Sequence, residues 1–132
     1  MSDLEFWTAA SALWIAVAWA PYILDRMAVR GIMGAMANPS PDLAPQSAWA
    51  ERAKAAHKVS VELFVAFAPL AGIAMMRLPV DTYAGTLAMF FFIGTIIHYV
   101  VYTLGIVVIR TLAFLLASLS TVALGLRVFG VI

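Results

Sequence analysis

The segment AERAKAAHKVSVELFVAFAPL, residues Ala50–Leu70, changes along its length from a charged stretch to an almost continuous apolar run. Its first nine residues include five charged or titratable side chains, whereas the remainder includes only one, the carboxylic acid Glu62. Such a change is typical of a helix that leaves the headgroup region of a membrane and enters the hydrocarbon core. The segment therefore predicts a membrane-spanning helix with an acid inside it.

The composition of the whole chain agrees with a membrane location. Of the 132 residues, 64% are hydrophobic and 11% are charged, whereas about 25% of the residues of a soluble domain are charged. A net charge of +1 leaves no basic surface for nucleic acid, which is therefore not expected as a partner. The absence of cysteine excludes a disulfide framework and a thiolate metal site.

Four apolar segments are long enough to cross the roughly 30 Å hydrocarbon core of a bilayer as helices. We expect these spans at about residues 4–24, 59–76, 82–104 and 109–132. The helix of the second span is expected to begin earlier, at about residue 47. Short connections after the second and third spans make neighbouring spans antiparallel. The sequence thus predicts an all-α integral membrane protein, a four-transmembrane-helix up-and-down bundle that forms one domain over residues 1–132.

Local signals indicate where these helices begin and where the chain is irregular. Ser2 and Glu5 have the spacing of a capping box at the start of the first helix. Ser47 can serve as the N-cap of the second helix. The long connection 25–46 contains three prolines, so we expect an irregular loop at the membrane surface.

Positive residues are divided unequally between the two ends of this bundle. Six lie at the end with the long connection, and two lie at the other end: Arg26, Arg30, Arg52, Lys54, Lys58 and Arg110 against Arg77 and Arg127. We call the first of these the basic end. The positive-inside rule predicts that the basic end is cytoplasmic and that both termini lie on the non-cytoplasmic side.

Glu62 is the most informative residue of the second span. An ionised side chain in a membrane helix costs about 3 kcal/mol, so such a residue is a functional hypothesis by default. Lys58 lies one turn before it, and a local Lys58–Glu62 ion pair is the simplest structural explanation. The order of lysine before glutamate is the weaker one in a helix, and lysine can instead extend to lipid phosphates. Structural pairing and a functional polar site both stay open.

A second group of polar side chains lies at the basic end of the third span. Thr95, His98 and Tyr102 have helical spacing and share one face, and Arg110 begins the fourth helix after a short turn. If the second and third spans are neighbours, Glu62, His98, Tyr102 and Arg110 converge and form an anion pocket. Taken singly, Tyr102 and Arg110 fit interfacial anchors and His98 a hydrogen-bonded interior histidine. Their shared depth favours the pocket.

The other histidine, His57, lies in the part of the second helix that precedes the span. A solvated or capping histidine is the common case at such a position. Two histidines without a cluster of carboxylates do not make a metal site, so no metal is expected.

The stretch AMANPSPDLAPQSAWAERAKAAHKVSVELFVAF, together with HYVVYTLGIVVIRTLAF, resembles the MAPEG superfamily, the membrane-associated proteins in eicosanoid and glutathione metabolism. The short bacterial members are the most similar, and the resemblance extends over nearly the whole chain. Matching positions of the family motifs are Arg52, Ala56, His57, Glu62, His98, Tyr102, Gly105 and Arg110. The resemblance implies a homotrimer of four-helix protomers, and the similarity to bacterial members implies the bacterial inner membrane.

The resemblance also implies a function and roles for individual residues. Glutathione, as co-substrate, would lie between neighbouring protomers near the cytoplasmic face, and a lipophilic electrophile would approach from the membrane lipid. Arg52 and Glu62 would bind the charged ends of the tripeptide, and His98 and Tyr102 would line its pocket. Arg110 would be the catalytic residue, because a guanidinium stabilises the thiolate that acts as nucleophile.

Four positions depart from the family pattern: Ala55 replaces an arginine, Val59 an asparagine, Leu63 a tyrosine or asparagine, and Thr95 an arginine. Each lost charge-assisted contact costs about 1.5 to 3 kcal/mol of binding. The first hypothesis is therefore a membrane glutathione transferase or peroxidase with an altered glutathione site. The second is a non-catalytic relative that binds a lipid or a partner membrane protein in the same cleft. A third, less favoured, is a proton or solute pathway through Glu62 and His98.

Overall fold

The computed structural model describes residues 1–132 and consists of helices without any strand. The five helices are α1 (Asp3–Val17), α2 (Ala20–Met36), α3 (Ala48–Arg77), α4 (Thr82–Thr103) and α5 (Val107–Val128). Four helical stretches are long and apolar enough to cross a membrane: α1 continued into α2, then α3, α4 and α5. The predicted all-α architecture with four long apolar helices is confirmed.

The first of these stretches is broken between α1 and α2. Pro21 explains the break, because proline lacks the N–H for a helical bond and its ring collides with the carbonyl four residues earlier. Side chains from other helices take up carbonyls at the break. His57 Nε2 on α3 donates to the Ile15 carbonyl at 2.8 Å, and the Tyr99 hydroxyl on α4 donates to the Ala18 carbonyl at 2.7 Å. These two hydrogen bonds thus fix the position of the break relative to α3 and α4.

The role of His57 follows from its two ring contacts. A carbonyl can only accept a hydrogen bond, so Nε2 carries the proton that is donated to Ile15. Nδ1 then accepts from the Tyr22 hydroxyl at 2.8 Å. His57 therefore caps an interrupted helix and is held in one tautomer, in agreement with the capping alternative expected from its position.

The connection expected to be irregular over residues 25–46 is helical as far as Met36. Its prolines all lie beyond that residue, and the preceding stretch is rich in alanine, methionine and arginine, which favour helix. Gly31 interrupts the helix with φ 72 and ψ 169, a conformation open to glycine because it lacks a Cβ atom. The prediction of a loop is therefore wrong for residues 25–36.

Ser2 and Ser47 both occupy the N-cap positions expected of them, but only the side chain of Ser2 caps its helix. The Ser2 N–H donates to Glu5 Oε2 at 2.6 Å and the Glu5 N–H donates to Ser2 Oγ at 3.2 Å, which completes the capping box. The Ser47 side chain caps no helical N–H. Its hydroxyl and its N–H instead donate to the carboxylate of Asp25 at 2.6 and 3.0 Å, so Ser47 ties α2 to the start of α3.

Helix α4 is the centre of the bundle and packs against α1, α3 and α5. Small residues allow close approach: a Cβ atom added to Gly94 would lie 2.9 Å from the backbone nitrogen of Ala117 on α5. Closer to the end of the bundle where the chain termini lie, the ring of Phe67 on α3 stacks on that of Phe91 on α4 at a centroid distance of 4.0 Å. Most large apolar side chains of α5 point outward, as expected for a surface in contact with lipid.

The end opposite the basic end is held by a carboxylate in the turn before α4. Asp81 accepts a hydrogen bond from the Ala84 N–H at 3.0 Å and forms an ion pair with Arg127 of α5 at 2.7 Å. Burial acts to raise the pKa of Asp81, but the Ala84 N–H and the Arg127 guanidinium outweigh it and hold this pKa below the usual 3.8. The ionised form therefore stabilises the folded state.

We expect Asp81→Asn to lower the melting temperature in detergent at neutral pH by the equivalent of about 1 kcal/mol. Because the pKa is lower in the folded state, this stability is present above pH 3.8 and is lost as the pH falls through the folded value. The melting temperatures of the wild type and the variant should converge in acid. Asp42→Asn, in an exposed loop, is the control, and a wild-type advantage that persists in strong acid would contradict the assignment.

Candidate functional site

Three of the side chains predicted for the site meet at the basic end of α4 and α5. The rings of His98 and Tyr102, four residues apart on α4, lie edge to face at a centroid distance of 5.4 Å. The chain turns at Gly105, with φ 82, and this turn brings Arg110 of α5 back over Tyr102. Arg110 Cζ lies 4.4 Å from the centre of the Tyr102 ring, a cation–π contact. We call these three side chains the polar cluster.

His98 is the buried member of the polar cluster. Only 3% of its surface is exposed, and its Nδ1 has no hydrogen-bond partner. The ring of Phe114 on α5 packs near it at a centroid distance of 6.4 Å. Buried polar atoms nearly always have a partner. Nδ1 of His98 is therefore an exception, a buried polar atom that the chain leaves without a hydrogen-bond partner inside the polar cluster.

Arg110 is the charged member, and its charge is not neutralised within the chain. The only ion pair within 4.0 Å is that of Asp81 with Arg127. No hydrogen bond occupies the N–H groups of Arg110, so its guanidinium keeps its donors for an anion. The Tyr102 ring fixes one face of the guanidinium and leaves its edge free.

Glu62 lies in a groove between α3 and α5. The groove has a volume of about 290 Å³ and is lined by Val59, Glu62, Leu63, Ala66, Phe114, Ser118, Thr121 and Val122. Glu62 is exposed and forms no ion pair, so the local pair with Lys58 that the sequence allowed is absent. Its carboxylate therefore remains uncompensated in the single chain.

The groove and the polar cluster adjoin each other along α5. Phe114 lines the groove and also packs against His98, and Arg110 precedes Phe114 by one helical turn. Glu62 and Arg110 are therefore on the same side of the bundle, with Phe114 between the groove and the cluster. They do not touch each other, and the expected convergence of four side chains is realised for His98, Tyr102 and Arg110 alone.

Arg52 stands apart from the polar cluster. Its Nε donates to the Thr103 carbonyl at 3.0 Å, and its guanidinium lies against Gly105. A cation at this place stabilises the carboxyl end of α4 through the helix dipole. Phe114, which joins the groove to the cluster, was missed from the sequence, although its spacing of four residues from Arg110 was a usable signal.

Fold and site together define an integral membrane protein in which four apolar helical stretches carry a polar cluster and an unpaired carboxylate. The model of the MAPEG family matches residues 4–130. The chain therefore belongs to the MAPEG family, and the resemblance seen in the sequence is confirmed. Comparisons with curated proteins and with solved structures found no match.

The four departures from the family pattern occupy three different environments. Val59 and Leu63 line the groove beside Glu62 and make its wall apolar. Thr95 is fully buried, and its hydroxyl donates to the Phe92 carbonyl at 2.8 Å. Ala55 lines a separate cleft near the start of α3. Val59 and Leu63 are thus the two departures that line the same groove as Glu62.

Proposed function

We propose that this protein is a membrane glutathione transferase or peroxidase that acts on lipophilic substrates through an altered glutathione site. The observation that carries the proposal is the unneutralised Arg110, held on the Tyr102 ring, whose other neighbour is the buried His98 with an unpaired Nδ1. Anionic sulfur is the species that such a cation stabilises. Membership of the MAPEG family supports glutathione as the source of that sulfur.

Arg110 would act by lowering the pKa of the bound thiol. A positive charge within about 4 to 6 Å favours the ionised form of an acid, and the thiolate is the nucleophile. The thiol proton leaves to water, and the sulfur then forms a bond to an electrophilic carbon of the substrate. In a transferase reaction the leaving group departs with the bonding electron pair. With a hydroperoxide, the thiolate attacks the terminal oxygen, the O–O bond breaks and the alkoxide leaves as the alcohol after taking up a proton. A second glutathione then attacks the sulfur of the resulting sulfenic acid, which gives glutathione disulfide and water.

The remaining charges suit the two ends of the tripeptide. Glu62 would bind the α-ammonium group, and Arg52 a carboxylate, through the N–H groups that do not bond Thr103. Beside the tripeptide, the apolar walls that Val59, Leu63 and Phe114 give the groove would contact the lipophilic substrate. Binding of both substrates at the junction of groove and cluster would place sulfur next to the electrophile.

A homotrimer completes this proposal. An ionised Glu62 on the surface of one protomer would face lipid at a cost of about 3 kcal/mol. A neighbouring protomer over the α3–α5 groove would remove that contact and enclose the ligand. We further propose the bacterial inner membrane, with the basic end in the cytoplasm, where glutathione is the main thiol pool, and both termini on the opposite side.

The proposal predicts a bound thiolate in the purified protein. Titration with glutathione at neutral pH should produce the ultraviolet difference band of a thiolate and reach saturation in the millimolar range. S-methylglutathione, which has the same charges but no ionisable thiol, is the control and should displace glutathione without producing the band. Absence of the band at millimolar glutathione would overturn the proposal.

A second function is favoured by the apolar groove wall. With Val59 and Leu63 in place of polar residues, the groove offers few partners to a tripeptide and suits an acyl chain or a helix of another membrane protein. The protein would then be a non-catalytic MAPEG relative that binds such a ligand. This function predicts no thiolate band, together with a lipid or protein retained at the groove and released by Glu62→Arg.

A further inference from the structure

A second polar surface lies at the basic end, away from the polar cluster. Between α2, the residues that follow it and the first turns of α3 there is a cleft of about 150 Å³. Its lining residues are Arg26, Arg30, Ala37, Pro39, Ser40, Gln46, Glu51 and Lys54. Three cations and one acid leave a net charge of +2, and none of these residues belongs to the groove or to the polar cluster. We call this the basic cleft.

The cations of the basic cleft are not neutralised by the chain. None of the three forms an ion pair within 4.0 Å. Arg26 Nε is shielded from solvent and has no hydrogen-bond partner. The neighbouring carboxylate of Asp25 accepts hydrogen bonds from Ser47 and forms no ion pair with Arg26. A buried guanidinium nitrogen without an acceptor is a position that an anion can fill.

Arg30 is positioned by the backbone of the following segment. Its Nε donates to the Ala44 carbonyl at 2.7 Å, which fixes the side chain across the cleft. Its terminal nitrogens have no partner in the chain and remain free to donate. Arg26 and Arg30 are four residues apart on α2 and therefore present two guanidinium groups on one helix face. Two such groups match the oxygens of a phosphate better than those of a single carboxylate.

A larger and less polar cleft adjoins the basic cleft. It has a volume of about 440 Å³, shares Glu51 and Lys54 with the basic cleft, and is otherwise lined by Tyr22, Ala55, His57, Lys58 and Val61. A small cationic cleft beside a larger and less polar one fits a ligand with a charged head and an apolar continuation. Such a ligand is an amphiphile.

The outer face of α2 indicates that the amphiphile comes from the membrane. Ile32, Met33 and Met36 are 63%, 79% and 70% exposed, although they are large and apolar. The end of α2, past the kink at Gly31, thus carries exposed apolar side chains close in sequence to Arg26 and Arg30, a combination that suits the membrane interface. Interfacial basic pockets between spanning helices suit anionic lipid headgroups.

We propose that the basic cleft binds the phosphate of an anionic phospholipid from the leaflet at the basic end. Arg26 and Arg30 hold the phosphate oxygens, Lys54 adds a third charge, and the adjoining cleft receives the glycerol and the start of an acyl chain. This inference is independent of the proposed reaction, because the two sites share no residue. Saturating glutathione should therefore leave the affinity for lipid unchanged.

The test uses the full-length protein in neutral detergent and two short-chain lipids with identical acyl chains. Phosphatidylglycerol should raise the melting temperature and bind saturably, whereas phosphatidylcholine should bind at least tenfold more weakly. Arg26→Gln combined with Arg30→Gln should weaken phosphatidylglycerol binding by about a hundredfold, since two charge-assisted contacts are lost. Arg77→Gln, an unpaired cation at the opposite end, is the matched control and should bind as the wild type does.

Two further measurements make the outcome decisive. If the double variant does not fold, Lys54→Gln at an exposed position should still weaken phosphatidylglycerol binding several-fold, and an unchanged affinity would overturn the proposal. Equal binding of the two lipids by the wild type would also overturn it. Inorganic phosphate is the last probe: competition at the same concentration as the lipid would assign the cleft to a free anion and exclude the lipid.

Discussion

Arg110→Ala is expected to abolish the thiolate band of bound glutathione at neutral pH. The guanidinium is unpaired and lies on the Tyr102 ring, so its full charge is available to sulfur. A cation within about 4 to 6 Å lowers the pKa of an acid enough to raise its ionised fraction by about 10- to 1000-fold. In the variant, the ionised fraction of the bound thiol should fall by that factor, and glutathione-dependent turnover of a lipophilic electrophile should fall with it.

The measurement is a pH titration of the band in the wild type, in Arg110→Ala and in three further variants. Arg110→Lys keeps the charge but loses the planar contact with Tyr102, so it should retain part of the band. Tyr102→Phe keeps the ring beneath the guanidinium and should leave the band nearly unchanged. Arg77→Ala removes an unpaired arginine from the opposite end and serves as control. If the band of Arg110→Ala titrates as that of the wild type does, Arg110 does not act on the thiol.

The bundle could be predicted from the sequence because its signals are local. The length and hydropathy of each apolar run fix a spanning helix without knowledge of its neighbours. The Ser2–Glu5 capping box is local in the same sense, since both partners lie within one turn. The side-chain partner of the N-cap residue Ser47 could not be predicted, because that partner, Asp25, is 22 residues away in sequence and is brought near by the fold.

The break after α1 also shows that a local signal does not identify partners that are distant in sequence. Pro21 was a local sign that the first span is interrupted, but it does not indicate which groups take up the freed carbonyls. His57 and Tyr99 reach the break from two other helices, at separations of 42 and 81 residues. The sequence therefore allows a capping role for His57 to be expected, but it does not identify the Ile15 carbonyl to which His57 donates.

At the candidate site the sequence indicated which side chains of α4 and α5 meet, but not where Glu62 lies relative to them. The spacing of His98 and Tyr102 and the turn before Arg110 were sufficient to bring these three together. Glu62 was expected to meet them, but helical spacing fixes only the face of α3 on which it lies. The side chain of Phe114 lies between the groove and the cluster and borders both, and its position is set by packing between α4 and α5.

Val59→Asn combined with Leu63→Tyr should strengthen glutathione binding by about ten- to a hundredfold. Both positions line the groove next to Glu62, and both carry polar residues in the family pattern. A hydrogen bond to a charged group of the ligand contributes about 1.5 to 3 kcal/mol, and a neutral one about 0.5 to 1.5 kcal/mol. The gain should appear in the concentration of glutathione that half-saturates the thiolate band, whereas the thiol pKa should stay that of the wild type, because Arg110 is unchanged.

The controls separate a restored contact from a general increase in polarity. Val65→Asn introduces the same amide on α3 at a position that does not line the groove, and it should leave glutathione affinity unchanged. Adding Glu62→Gln to the double variant should remove most of the gain if the tripeptide lies along the groove with its ammonium group on that carboxylate. Equal affinities in the double variant and the wild type would mean that glutathione binds elsewhere. The groove would then belong to an apolar ligand, as the second proposed function requires.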